Sequence, residues 1–339
     1  MIKVGINGFG RIGRAFFRLA SERPELEVVA VNDLGTLESA AYLLKYDTVY
    51  GKAPFSVEIA GEKHALVIDG REVAFTNEKE PSSIPWGKFG VDVVVESTGF
   101  FTNYEKAQAH ITAGAQRVVI TAPVKEGGSG SGTTVLMGIN ESDFSKNKIT
   151  SNASCTTNAA SPVVRILHDT IGIEKALLNT VHAYTASQAL VDGASKKDLR
   201  EGRAAAQNMV PSSTGAAIAV TQAITELSNK FDGISIRVPV VAGSIADITF
   251  LAKRKTSVEE VNDILRKAAG EDRWKKVFSV SDEELVSSDI IGMPFASIAD
   301  LTMTRVVDGD LVKVLAWYDN EMGYTHALVE HIIAAGAYL

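Results

Sequence analysis

At 339 residues the chain exceeds what a single hydrophobic core usually holds, so two domains are expected. Hydrophobic residues make up 45% and charged residues 22%, a globular balance, and 34 basic against 41 acidic side chains leave a formal charge of −7, which argues against bulk attraction to nucleic acid or an anionic membrane. The single cysteine excludes an intrachain disulfide and fits a reducing compartment; with no signal-peptide pattern and no long apolar run, the chain reads as soluble and cytoplasmic.

In chain order, residues 2–6 read as a buried strand. They are followed by Gly8-Phe9-Gly10-Arg11-Ile12-Gly13-Arg14 and a helical run over 15–20. G-x-G-x-x-G between a strand and a helix is a dinucleotide-binding pattern. Gly8 allows the tight turn, Gly10 the approach of a pyrophosphate, and Gly13 close packing of the helix; the helix N-terminus faces the phosphate charge. A second strand over 28–32 ends in Asp33, about 20 residues beyond Gly13. A carboxylate there accepts hydrogen bonds from the adenine ribose hydroxyls and repels a 2′-phosphate, which favours NAD.

A buried parallel strand over 92–96 leads into Ser97-Thr98-Gly99, a helix spans 104–113, and a further strand runs over 117–121. Ser97, Thr98, Gly99 and Thr121 thus sit at strand C-terminal ends, where open α/β sheets bind ligands. The glycine-serine run over 127–132 is expected to be a surface loop without chemistry.

Cys155 lies in Ser151-Asn152-Ala153-Ser154-Cys155-Thr156-Thr157-Asn158, and His182 follows in His182-Ala183-Tyr184-Thr185. A lone cysteine is more often a small buried hydrophobe, but small polar neighbours and a downstream base favour a nucleophile. A helical pattern over 162–171 puts the thiol near a helix N-terminus, whose dipole favours a thiolate. The polar stretch 185–207 reads as a functional loop, and 211–217 as a helix start where Thr214 and Gly215 can hold an anion. Strands over 234–241, 245–252 and 311–317 and a helix over 258–269 suggest an antiparallel sheet covered by helices. Arg237, inside an apolar run, is a guanidinium suited to a phosphate. Residues 323–339 alternate like a helix. The expected class is α/β: a Rossmann-type doubly wound sheet in residues 1–153 and 321–339, and an α+β catalytic domain in 154–320 with a mostly antiparallel sheet, the terminal helix packing back on the first domain.

Taken together, Asn7-Gly8-Phe9-Gly10-Arg11-Ile12-Gly13-Arg14, Leu44-Lys45-Tyr46-Asp47, Glu96-Ser97-Thr98-Gly99, the Cys155 run, the His182 run and Trp317-Tyr318-Asp319-Asn320-Glu321-Met322-Gly323-Tyr324 resemble phosphorylating glyceraldehyde-3-phosphate dehydrogenases over nearly the whole chain. The resemblance implies that Cys155 attacks the aldehyde of glyceraldehyde 3-phosphate. His182 takes the proton, hydride passes to NAD, and phosphate releases 1,3-bisphosphoglycerate from a Cys155 thioester. It implies Asn7, Gly8, Gly10, Arg11, Ile12, Gly13, Asp33, Lys79, Ser97, Thr98, Gly99, Thr121 and Asn320 as cofactor residues. Ser154, Thr156, Thr214 and Gly215 would line the attacking-phosphate site, and Thr185 and Arg237 would hold the substrate phosphate. It also implies a homotetramer, with no metal, nucleic acid or membrane partner.

Departures bear on the cofactor. Lys79 stands where the family commonly has arginine and Ala194 where NAD-selective members often have proline; Ala159, where a second cysteine is frequent, is not expected to touch catalysis. Gly35 and Gly193-Ala194-Ser195 are similar to members that also accept NADP, so NADP use is expected beside a preference for NAD. Two rivals stay open: an erythrose-4-phosphate dehydrogenase, which hydrolyses its thioester, and a non-catalytic nucleotide- or RNA-binding protein on the same scaffold. Thr185 fits the phosphorylating branch better, and the intact Cys155–His182 pair weighs against an inert scaffold.

Overall fold

A computed structural model describes residues 1–124, 132–195 and 198–339. Most of the predicted glycine-serine loop, residues 127–131, lies outside the described residues. The chain divides into two compact units: Met1–Val135, Asn140–Ala153 and Leu328–Leu339 form one, and Leu136–Ile139 with Ser154–Ala327 the other. Among the described residues no helix is long and apolar enough to cross a membrane.

The described residues of the first unit hold a nine-stranded sheet in the order Thr133–Thr134, Ile149–Ser151, Arg117–Ile120, Val93–Glu96, Ile2–Asn7, Leu26–Asn32, Arg71–Thr76, Ala65–Ile68 and Val57–Ala60. The first seven pair in parallel. Val93–Glu96 and Arg117–Ile120 are buried at every position, as strands covered on both faces must be. The helix Arg11–Ala20 buries Ala15, Phe16, Phe17 and Ala20, and Asn103 caps Tyr104–Thr112 by accepting the Glu105 N–H. The sheet is extended by the antiparallel strands Ala65–Ile68 and Val57–Ala60. The hairpin joining Ala65–Ile68 to Arg71–Thr76 turns at Asp69-Gly70, both with positive φ, 46° and 80°, the geometry Asp-Gly favours. From Leu328 onward the helix Met322–Gly336 belongs to this unit. There Glu330 pairs with Arg23 at 2.7 Å, and His331 Nε2 meets the Thr150 hydroxyl at 2.7 Å.

In the second unit the strand order is Val210–Ser213, Phe231–Val238, Ile173–Ala183, Ser244–Ala252, Leu311–Tyr318, Ser297–Val307 and Phe278–Ser281. The sheet is mostly antiparallel, as expected, but Phe231–Val238 runs parallel to Ile173–Ala183, and Phe278–Ser281 to Ser297–Val307. Alternate residues of Ser244–Ala252 and Leu311–Tyr318 are buried. Helices Cys155–Thr170, Ala216–Ala223 and Val258–Ala269 complete one apolar core with them through Val163, Val164, Val220, Val261 and Leu265.

Two expectations shift. The helix expected over 162–171 begins at Cys155, because Ser154 caps it and Ala159, Ala160, Val163 and Val164 are buried along its length. Pro162 is therefore interior and removes one ladder hydrogen bond rather than marking the first turn. The helix start expected over 211–217 is an edge strand followed by a helix at Ala216. Pro211 is tolerated at a sheet edge, where a missing N–H costs little.

Candidate active site

In the first unit a groove of about 540 Å³ opens at the C-terminal ends of the parallel strands. Asn7, Gly8, Gly10, Asp33, Lys79, Ser97 and Thr98 line it, together with Asn32, Leu34, Glu78, Phe100, Phe101 and Lys106. The glycines divide their work by geometry. Gly8 has φ +93°, and a Cβ there would lie 2.7 Å from the Thr98 backbone nitrogen. At Gly13 it would lie 2.2 Å from the Gly8 carbonyl oxygen, so the helix is seated directly on the turn. At Gly10 it would meet no protein atom within 4 Å; the added carbon would stand in the open space a pyrophosphate needs. Asp33 Oδ2 accepts the Phe9 N–H at 2.6 Å and Oδ1 the Gly35 N–H at 2.8 Å, which fixes the carboxylate at the groove wall. These features fit a dinucleotide.

Not every sequence-derived cofactor residue lines this groove. Arg11 pairs with Asp47 and stacks over the Tyr50 ring, Thr121 donates its hydroxyl to the Glu96 carbonyl at 3.1 Å, and Ile12, Gly13 and Gly99 stand outside the lining. Leu34, Phe100, Phe101 and Lys106 are wall residues the sequence reading missed; only their closeness to strand ends signalled them.

In the second unit Cys155, the candidate nucleophile, stands at a helix N-terminus. Ala153 takes a left-handed φ of 53°, and Ser154 then caps the helix by accepting the Thr157 N–H at 3.1 Å. Cys155 is thus the first helical residue, beside the first-turn amide dipoles that favour negative charge. His182 lies near the end of Ile173–Ala183 on the helix-covered face it shares with Thr180. Its Nε2 is 3.4 Å from Cys155 Sγ. Parallel register sets Arg237 directly beside His182, with Nη1 2.6 Å from His182 Nδ1. The Ala183 carbonyl oxygen lies 2.7 Å from the same nitrogen. Arg237 Nε is buried without a hydrogen-bond partner among the described residues, a cationic donor awaiting an acceptor.

Burial and the Arg237 charge act together on His182 and against each other at Cys155. Burial, then the Arg237 charge, lowers the His182 pKa to about 3, so its imidazole is neutral near pH 7. Burial pushes the Cys155 thiol up, while Arg237 and hydrogen bonds at Thr156 pull it down. Tyr318, absent from the sequence-derived site, ties the parts together. Its buried hydroxyl meets Thr156 Oγ1 at 2.8 Å and Thr180 Oγ1 at 2.7 Å, and its ring packs edge-on against His182 at 5.9 Å.

The remaining residues fall around this pair. The Thr156 hydroxyl is turned inward to Tyr318. Thr185, half-buried just past the strand, contacts the Ser187 hydroxyl at 3.0 Å. Thr214 accepts the Ala216 N–H at 3.2 Å, and Gly215 leads into the helix Ala216–Ala223. Ser244 donates to Asn320 Oδ1 at 2.9 Å while accepting the Ala183 N–H. The Asn320 amide N–H is left as the group that donates elsewhere.

Comparisons agree with this geometry. Residues 2–104 match the model for the glyceraldehyde 3-phosphate dehydrogenase NAD binding domain, and residues 154–320 that for the C-terminal domain. The chain is 48% identical to a glyceraldehyde-3-phosphate dehydrogenase of Thermotoga maritima, covering 97% of this chain and 98% of the relative. It is 45% identical to the Geobacillus stearothermophilus enzyme of the same name, over 97% and 96%. It is also 45% identical to glyceraldehyde-3-phosphate dehydrogenase 2 of Streptomyces arenae, over 100% and 99%. The chain therefore belongs to the glyceraldehyde 3-phosphate dehydrogenase family, an NAD-dependent oxidoreductase family.

Proposed function

We propose that the protein oxidises D-glyceraldehyde 3-phosphate to 1,3-bisphosphoglycerate with NAD and inorganic phosphate, through an acyl group carried on Cys155. The observation that carries this reading is Cys155 Sγ at a helix N-terminus, 3.4 Å from His182 Nε2, in a chain of this family. The thiol sulfur bonds to the aldehyde carbon, and its proton passes to His182 Nε2. The carbonyl oxygen takes the developing charge, near the first-turn amides of the helix and the imidazole. NAD, when bound, accepts the hydride that leaves the thiohemiacetal carbon. The resulting thioester is cleaved by phosphate oxygen attack, with Cys155 leaving as thiolate.

Asn7, Gly8, Gly10, Asp33, Lys79, Ser97 and Thr98 would hold the dinucleotide, and the Asn320 amide N–H its carboxamide. Arg237, with its unpartnered Nε, and Thr185 would hold the substrate phosphate; Ser154, Thr156, Thr214 and Gly215 would hold the attacking phosphate. Asp33 favours NAD, with NADP accepted less well. A cytoplasmic homotetramer fits the apolar side chains left open on the second unit, among them Leu177 at 66%, Ile218 at 60% and Leu190 at 83% exposure.

The test is NADH formation from glyceraldehyde 3-phosphate, with and without phosphate and with NADP replacing NAD. Phosphate-dependent turnover with a higher kcat/KM for NAD is expected. Turnover independent of phosphate would assign the protein to a thioester-hydrolysing dehydrogenase instead, and equal kcat/KM for both cofactors would remove the NAD preference.

A further inference from the structure

Four adjacent parallel strands of the first unit end in polar residues that stand in register: Glu96, Asn7, Asn32 and Thr76. Their side chains form one hydrogen-bonded row beneath the groove. Asn7 Nδ2 donates to Glu96 Oε2 at 2.6 Å, Asn32 Nδ2 donates to Asn7 Oδ1 at 2.8 Å, and the Thr76 hydroxyl donates to Asn32 Oδ1 at 2.7 Å. The row reaches the groove wall at both ends. Glu78 donates its N–H to Asn32 Oδ1 at 2.8 Å, and Thr98 donates its N–H to Glu96 Oε1 at 2.9 Å and its hydroxyl to the same oxygen.

Behind Glu96 the row continues away from the groove. Trp86 and His110 are both 0% exposed, and Glu96 is 1% exposed. Trp86 Nε1 donates to His110 Nδ1 at 3.0 Å. An indole N–H can only donate, so Nδ1 is the accepting nitrogen and Nε2 carries the proton. That proton points at Glu96 Oε2, 2.9 Å away. The indole thereby selects the tautomer that gives the carboxylate its last donor. Neither Trp86 nor His110 lines the groove.

We propose that Trp86 and His110 are positioning residues for the dinucleotide. By locking Glu96 they hold Asn7 and Thr98 at the groove wall, and they hold the Thr98 backbone beside the Gly8 turn, whose missing Cβ would lie 2.7 Å from the Thr98 nitrogen. The fully satisfied row is rigid; with one donor lost, the buried carboxylate must recruit another, and Asn7 and Thr98 are the groups within reach. The proposal rests on the reading that this groove binds NAD.

The test compares His110→Phe, His110→Gln and Trp86→Phe with the native protein, measuring NAD affinity by calorimetry well below the unfolding temperature. His110→Phe removes the donor to Glu96 and should raise the NAD Kd about ten-fold, the scale of one lost hydrogen bond to a charged group. His110→Gln restores an N–H toward Glu96 and should stay within about three-fold of native, whereas Trp86→Phe frees the tautomer and should weaken binding by about three- to ten-fold. Alkylation of Cys155 by iodoacetamide without NAD, and kcat at saturating NAD, should be unchanged. A folded His110→Phe protein with native NAD affinity would overturn the proposal; if that variant fails to fold, native affinity in Trp86→Phe overturns it. A native protein that binds no NAD would instead overturn the reading of the groove.

Discussion

His182 Nδ1 faces two neighbours with opposite demands. The Arg237 guanidinium can only donate, and the Ala183 carbonyl can only accept. With Arg237 donating, the imidazole proton sits on Nε2 and points at the sulfur. With Nδ1–H donated to Ala183, Nε2 becomes the acceptor the thiol needs. An anion that drew Arg237 off the ring would favour the second state; on the proposed reading, the substrate phosphate would in this way prepare the base. Replacing His182 by Asn should lower kcat by about 10²–10⁴-fold in the NADH assay; an unchanged kcat would remove it from the reaction. Arg237 also helps ionise the thiol. In Arg237→Gln the pH midpoint of Cys155 alkylation should therefore move upward, and KM for glyceraldehyde 3-phosphate should rise at least about ten-fold. A midpoint that stayed put or fell would contradict the charge assignment.

At the scale of elements, the first helix is seated directly on the glycine turn. Gly13→Ala places a methyl 2.2 Å from the Gly8 carbonyl oxygen. Either the helix or the turn must move, at about 1–3 kcal/mol of stability, and NAD affinity should fall with it; thermal unfolding and NAD titration together check this. Tyr318→Phe removes the hydroxyl joining Thr156 to Thr180. It should cost about 1–3 kcal/mol in urea unfolding and lower kcat by loosening His182. This scale also shows what was legible in the residues. The placement of the glycines and Asp33 along the groove was readable because it depends on local backbone; Cys155 was singled out by its small polar neighbours, while the Ser154 cap that starts the helix there, seven residues before the expected start, was not read. Arg237 was singled out by its odd place in an apolar run, but its contact with His182 depends on a parallel register between distant strands, which no local pattern encodes. Tyr318 and Thr180 were silent for the same reason. Asp69-Gly70 did carry a local hairpin signal, and the strands around it were passed over.

For the whole molecule, the α/β class and the mostly antiparallel second sheet follow from hydrophobic periodicity, while the unit boundaries rest on long-range packing. Stability should be sharply pH-dependent on the acid side. His331, fully buried in the first unit, has its pKa lowered from 6.5 to about 3, chiefly by burial. The unfolded chain takes up this proton where the folded one does not, so stability is full above about pH 6.5 and is lost as pH falls toward about 3, by about 1.4 kcal/mol per pH unit. Urea unfolding between pH 7 and pH 4 should show this slope reduced by that amount in His331→Gln; identical slopes would place the acid sensitivity elsewhere.

The central claim, that Cys155 carries the acyl group between oxidation and phosphate attack, is tested by mixing protein, NAD and glyceraldehyde 3-phosphate without phosphate. The account predicts a burst of one NADH per site, a mass increase of one 3-phosphoglyceroyl group on the peptide holding Cys155, and its release when phosphate is added. Steady NADH production without an adduct, or a full burst from Cys155→Ala, would contradict it.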